Sequence, residues 1–284
     1  MDERTAVRSH LSRVLHATDL SPEGDLAFAH SLALAVAARG ELFIVHTEPD
    51  RQRPGREWDA FPGVRPMLIR WGLLPQDAES AAVAKLLGLH VRKIDIPDDD
   101  PLHGIMGLVE RHAFNLAVLA SHTREGVARW LHPSVSEALA RETGLPTLFL
   151  PHGARGFIDP ADASARLRTV LIPVDDSPPA GLAVALAMEL ADLIGADEAV
   201  FHLLHVGESW PAPDIPPGRE ARVRQMKSKG PVVEQIIAAA DSLDADLIVM
   251  PTRGHNGVLD ALRGSTTEQV LRRAGRALLA APPG

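Results

Sequence analysis

The stretch Asp246-Leu247-Ile248-Val249-Met250-Pro251-Thr252-Arg253-Gly254 organises the reading of the whole chain. Its apolar run, Asp246 to Met250, has the composition of a strand buried on both faces, as in a parallel sheet. The run breaks into a loop carrying Gly254 and Gly257, and after Gly264 the residues Ser265-Thr266-Thr267-Glu268 open a helix. Ser265 with Glu268 fits an S-x-x-E capping box, which predicts Ser265 as the N-cap. A strand passing through a glycine loop into a helix N-terminus leaves backbone N–H groups free. With the positive end of the helix dipole, they suit a phosphate.

The same unit occurs earlier in weaker form. A shift of 131 positions carries Pro251 onto Ala120, Gly254 onto Thr123, Gly264 onto Pro133, Ser265 onto Ser134 and Glu268 onto Glu137. The capping box is therefore present twice, and the loop glycines once. The chain also begins twice. Arg13 to Asp19 is predicted as a strand ending in a carboxylate, Ser21-Pro22-Glu23 as a helix start, Asp25 to Ala38 as a helix and Glu41 to His46 as a second strand. Thr169 to Asp175, Asp176-Ser177-Pro178, an Ala/Leu-rich helix stopping at Gly195, and Ala199 to Val206 repeat that order. Two β-α-β starts predict parallel pairs with right-handed crossovers and an internal duplication.

The middles of the copies differ, the second being 28 residues shorter between its second and fourth strands. The first copy holds Val64 to Leu74 and a predicted helix, Gln76 to Leu87, before a strand at Val91 to Ile96. The second has only the proline-dense Gly207 to Glu220, then a basic segment, Arg222 to Lys227, suited to a sheet edge. The expected architecture is α/β: two tandem doubly wound domains, each a five-stranded, mostly parallel sheet flanked by helices. They are assigned to residues 1–153 and 167–284, with a linker at 154–166.

Composition narrows the chemistry. The 284 residues carry 29 Lys and Arg against 37 Asp and Glu, a net charge of −8, which argues against nucleic acid or an anionic membrane as partner. There is no cysteine, so disulfides, thiolate catalysis and cysteine-based zinc sites are excluded. The N-terminal Met1-Asp2-Glu3-Arg4 lacks a signal-peptide core, and no apolar run approaches a membrane span, so a cytoplasmic protein is expected. His202 and His205, three apart on a predicted strand, leave opposite faces and cannot share one ion; no metal is expected. G-x-S-x-G, a Walker A lysine and G-x-G-x-x-G are all missing, so no catalytic residue is assigned and at most a slow ATPase is expected.

Two copies of V-L-x-x-x-D-x-S-P, a strand ending in His, and strand–loop–G-S–helix–strand resemble the universal stress protein family in tandem form. The resemblance implies that the halves pair through their last strands, Leu145 to Leu150 and Ala277 to Ala281, with Pro151 to Ala165 running outside. It also implies an adenine nucleotide, ATP or ADP, across the ends of the first and fourth strands. The family's G-x-x-G, nine residues, then G-S is met here by Pro251-Thr252-Arg253-Gly254 and Gly264-Ser265, with proline at the first glycine. The nucleotide residues implied are Pro173, Val174 and Asp175, then Met250, Pro251, Arg253 and Gly254, then Gly264, Ser265 and Thr266. Only the second half is expected to bind, because Thr123 and Pro133 replace the glycines in the first. Three readings stay open: a nucleotide-binding stress protein, a paired scaffold (a homodimer being possible) in which Ser265 merely caps its helix, and a weak ATPase.

Overall fold

The computed structural model describes residues 10–47, 63–98, 100–121, 138–140, 142–252 and 265–282. The first half runs β1 (Arg13–Ala17), α1 (Asp25–Ala37), β2 (Glu41–Thr47), α2 (Val64–Arg70), α3 (Ala81–Leu87), β3 (His90–Ile96), α4 (Pro101–Arg111), β4 (Leu116–Ser121) and β5 (Thr147–Pro151). The second runs β6 (Thr169–Pro173), α5 (Gly181–Leu193), β7 (Val200–Val206), β8 (Val223–Ser228), α6 (Val232–Ser242), β9 (Leu247–Pro251), α7 (Thr266–Arg273) and β10 (Ala277–Ala281).

The ten strands among the described residues form one sheet, in the order β3-β2-β1-β4-β5-β10-β9-β6-β7-β8. Pairing is parallel within each half. At the junction β5 and β10 run antiparallel, with Leu278 opposite Phe149, Leu279 opposite Leu148 and Ala280 opposite Thr147. Strand composition accounts for the order. Every residue of β4, β5 and β10 is buried, so these apolar strands need neighbours on both edges and cover on both faces. The outermost strands, β3 and β8, instead place Arg92, Lys93, Arg224 and Lys227 along the open edges, which discourages further strand addition.

Two apolar layers cover the sheet. One, around Phe28, Leu32, Ile44, Phe201 and Leu203, lies under α1 and α5. The other, around Phe43, Phe149, Leu108, Ile236 and Leu271, lies under α4, α6 and α7. Gly40 shows how tightly α1 returns to the sheet: a Cβ there would sit 2.0 Å from the Ser12 carbonyl oxygen.

Several local expectations change. The helix expected from Gln76 starts at Ala81, because the chain first turns at Pro75 to Ala78 and buries Leu74. Ser21 precedes a short 3₁₀ turn at Pro22–Gly24 and makes no side-chain cap bond. In the second half Asp175 bridges to Pro179, which delays α5 to Gly181. The segment between the halves does not run outside: Phe157 and Ile158 are 1% and 2% exposed and belong to the α1–α5 layer. Its composition looks like a linker's, but these two side chains find apolar cover on α1.

Candidate functional site

In the second half β6 feeds α5 on one face of the sheet, whereas β9 feeds α7 on the other. Chains leaving adjacent strands toward opposite faces make a crevice at the carboxyl edge, the usual ligand position in doubly wound sheets. β6 and β9 are paired at Val170–Leu247 and Leu171–Ile248, where Pro173, having no N–H to donate, ends the ladder; the matching pair β1 and β4 stays in register over Val14 to Ala17.

One wall of the crevice is the end of β6. Pro173 is half-buried, Val174 is buried and Asp175 is exposed. The amide of Val174 donates to the Leu204 carbonyl at 2.8 Å, and its own carbonyl accepts from Nδ1 of the buried His205 at 3.0 Å. His205 thus fixes the turn that presents Asp175. The same device appears in the first half, where Nδ1 of His46 lies 3.0 Å from the Thr18 carbonyl, next to Asp19. There the carboxylate accepts from the Ser21 amide at 3.0 Å. Asp175 likewise accepts from an amide of its own turn, that of Asp176, at 2.8 Å.

The opposite wall is the end of β9 and the start of α7. Met250 is buried and Pro251 half-buried. Thr252 is tied to β10, its amide and Oγ1 both donating to the Ala281 carbonyl, at 2.8 and 3.1 Å. Ser265 is the N-cap of α7, its Oγ accepting from the Glu268 amide at 3.1 Å, and Glu268 pairs with Arg272 one turn on. Thr266 is the first helical residue and is exposed. Arg253, Gly254 and Gly264 lie outside the described residues, as do Thr123, Pro133, Ser134 and Glu137 of the first half.

Two residues of this region were not singled out by the sequence. Trp210 stands edge-on to His205, ring centroids 6.2 Å apart, and packs with Ile215 on the α1–α5 layer. Asp214 lies against Gly181, where a Cβ would be 3.4 Å from its own Cβ, so its carboxylate faces the positive end of α5. The legible signal was one tryptophan and one isoleucine in an otherwise polar, proline-dense segment. Proline prevents a helix there, and these apolar side chains still need cover. The β6 wall thus carries Asp175, with Asp214 against the start of α5, while the β9 wall ends at a capped helix N-terminus.

Among the described residues no group of three His, Asp or Glu side chains could hold a metal ion. Nor is any described helix long and apolar enough to cross a membrane.

A sequence model described as the universal stress protein family matches residues 10–151 and 218–282. The unmatched stretch between them contains β6, α5 and β7, which the sheet order sets beside β9 and β8 as β1 and β2 sit beside β4 and β3. No curated protein matches the sequence. Among solved structures, a universal stress protein from Archaeoglobus fulgidus DSM 4304 aligns over 96% of this chain and 99% of its own, at 19% identity and a TM-score of 0.60. A putative universal stress protein from Pseudomonas aeruginosa UCBPP-PA14 aligns over 97% and 95%, at 19% identity and a TM-score of 0.61. A functionally unknown protein from Pseudomonas aeruginosa PAO1 aligns over 97% and 94%, at 16% identity and a TM-score of 0.62. At these identities the structures speak for the fold, and the sequence match over both halves assigns the family. The chain belongs to the universal stress protein family.

Proposed function

We propose that this chain is a cytoplasmic stress-response protein whose second half binds one adenine nucleotide, ATP or ADP, in the β6–β9 crevice. The observation that carries the reading is the crevice where β6 and β9 lead to helices on opposite faces of the sheet, with the exposed Asp175 on one wall and a helix N-terminus on the other. The charges set the orientation. Asp175 and Asp214 repel phosphates, so that wall takes the ribose and base, while phosphates lie toward Ser265 and Thr266. By sequence, glycines at 254 and 264 carry no Cβ to obstruct a phosphate between β9 and α7. No acid–base pair is assigned, so the role proposed is holding nucleotide and reporting its state, with turnover at most slow.

Calorimetric titration of the folded chain with ATP and ADP tests this, and in a separate sample any co-purified nucleotide is released by denaturation and identified by chromatography. The expected result is saturation near one nucleotide per chain, abolished by Gly264→Val. Absence of both co-purified and titratable nucleotide would overturn it. That outcome favours the second reading, a paired scaffold, which draws on the fully buried β5–β10 junction.

A further inference from the structure

The segment joining the halves is held to α1 by one buried imidazole. Nδ1 of His30 lies 2.8 Å from the Leu26 carbonyl one helical turn back, so Nδ1 carries the hydrogen and donates it. Nε2 is then a bare acceptor, and the amides of Phe157 and Ile158 both donate to it at 3.0 Å. Only the neutral ring in this tautomer satisfies all three contacts, since a protonated imidazole has no acceptor left. The Phe157 ring stands edge-on to His30 with centroids 4.6 Å apart. Gly156, at φ +67°, allows the approach: a Cβ there would sit 2.5 Å from Cε1 of His30.

The same segment reaches the second half. Arg155 pairs with Asp246 at 2.9 Å and Asp244 at 3.4 Å, at the corner between α6 and β9. On the other side Nε1 of Trp71 donates to the Pro160 carbonyl at 3.0 Å. Residues 155–160 therefore tie α1 and the α2 region to the second half, with His30 at the centre.

We propose that His30 is a proton-released latch, and that protonating its ring frees Phe157 and Ile158 from α1 and loosens the tie between the halves. On α1, burial raises the pKa of Asp25, which Arg70 of α2 partly offsets, and its Oδ1 has no hydrogen-bond partner among the described residues; Arg155 faces Asp244 and Asp246; Asp159 pairs with Arg166, and Asp162 bonds Ser164 while feeling Arg166. The ring's basicity is set first by burial, which outweighs the Leu26 carbonyl and brings the pKa down to about 4. Once the segment opens, the ring meets water and its pKa returns to the ordinary 6.5. Between these values the open form binds a proton that the closed form refuses, so acid favours opening. From pH 7.5 to 5 the opening constant rises about 25-fold.

Residue-resolved amide exchange on the full chain reads this directly. Protection factors of Phe157 and Ile158, corrected for intrinsic rates, should fall about 25-fold from pH 7.5 to 5. Phe149 and Leu279 in the central strands report global opening, which exposes His16 as well as His30; their protection should stay higher throughout but fall several hundredfold over the same range. In His30→Gln the side-chain amide oxygen accepts the same N–H groups without titrating, so protection should stay level across that range. Equal pH dependence in wild type and His30→Gln, or level protection in wild type, would overturn the latch. If His30→Gln does not fold, Gly156→Ala is the alternative. It pushes the segment off the ring, and protection at 157 and 158 should be low and independent of pH. A pH-dependent protection retained in Gly156→Ala would equally count against the proposal.

Discussion

Ser265 has one role visible in the fold and a second that follows from the proposed function. Its Oγ holds the Glu268 amide at the start of α7, and the same hydroxyl stands where phosphates are proposed to lie. Ser265→Ala should cost about 1 kcal/mol of stability through the lost cap. If phosphate also bonds the hydroxyl, ATP affinity should fall about tenfold or more, as expected for a charge-assisted contact. Ser134→Ala, the matching cap by sequence, is the control: it should lower the melting temperature without touching ATP binding. Equal ATP affinity of the two variants, measured by calorimetry on folded protein, would reduce Ser265 to a cap. The cap itself was legible as S-x-x-E, because a capping box is local in sequence. Whether a ligand shares it depends on the opposite wall, which lies 90 residues earlier at Asp175.

At the scale of elements, Asp246 is the point where three segments are fastened. Its Oδ2 accepts the amides of Arg168 and Thr169 at 2.8 and 3.0 Å, its Oδ1 meets Arg155 at 2.9 Å, and its side chain is only 8% exposed. One carboxylate thus sets the starts of β6 and β9 and anchors the joining segment. Asp246→Ala leaves two donors and a guanidinium facing an empty space, and should destabilise the protein by about 3 kcal/mol. Asp246→Asn keeps an oxygen for the amides and should cost about half as much. Urea unfolding of both variants checks the order; a loss under about 0.5 kcal/mol for Asp246→Ala would show that the fastening contributes little. Sequence reading took Asp246 merely as the first residue of a buried strand. Its partners are 77 and 91 positions away, and no local pattern encodes such a pairing.

For the molecule as a whole, the buried histidines set the response to acid. His16 and His30 are both fully buried, and burial brings each pKa from 6.5 down to about 4. The unfolded chain therefore takes up protons that the folded chain does not, from pH 6.5 downward. Stability is full above that value and falls until about pH 4. Each histidine should remove about 2 kcal/mol between pH 7.5 and 5, or about 4 kcal/mol together. Glu41, held below its usual pKa by Arg13, loses its contribution only as pH drops below 4.5, outside this window. His103, raised by Asp98, works in the opposite direction, but it stands in water and is screened. Urea midpoints at the two pH values test the prediction, and His30→Gln should recover about half the loss. An unchanged midpoint would mean that these rings do not stay neutral in the folded protein.

Sequence alone determined which segments are strands, which helices follow them and that the β-α-β start occurs twice. Hydrophobic period, proline and glycine act over a few residues, and the energy they report is local burial. It also marked β8 as edge-suited, since a run with Arg224 and Lys227 cannot be covered on both sides. Tertiary structure alone decided what covers each apolar face. Phe157 and Ile158 lie in a stretch of linker composition, yet they are buried because His30 offers an acceptor and α1 offers apolar surface 127 residues away. Trp210 settles on His205 for the same reason. The antiparallel register that sets Leu279 opposite Leu148 likewise depends on two edges meeting across the molecule. Local patterns fix what a segment needs to bury; only the assembled chain supplies the partner that buries it.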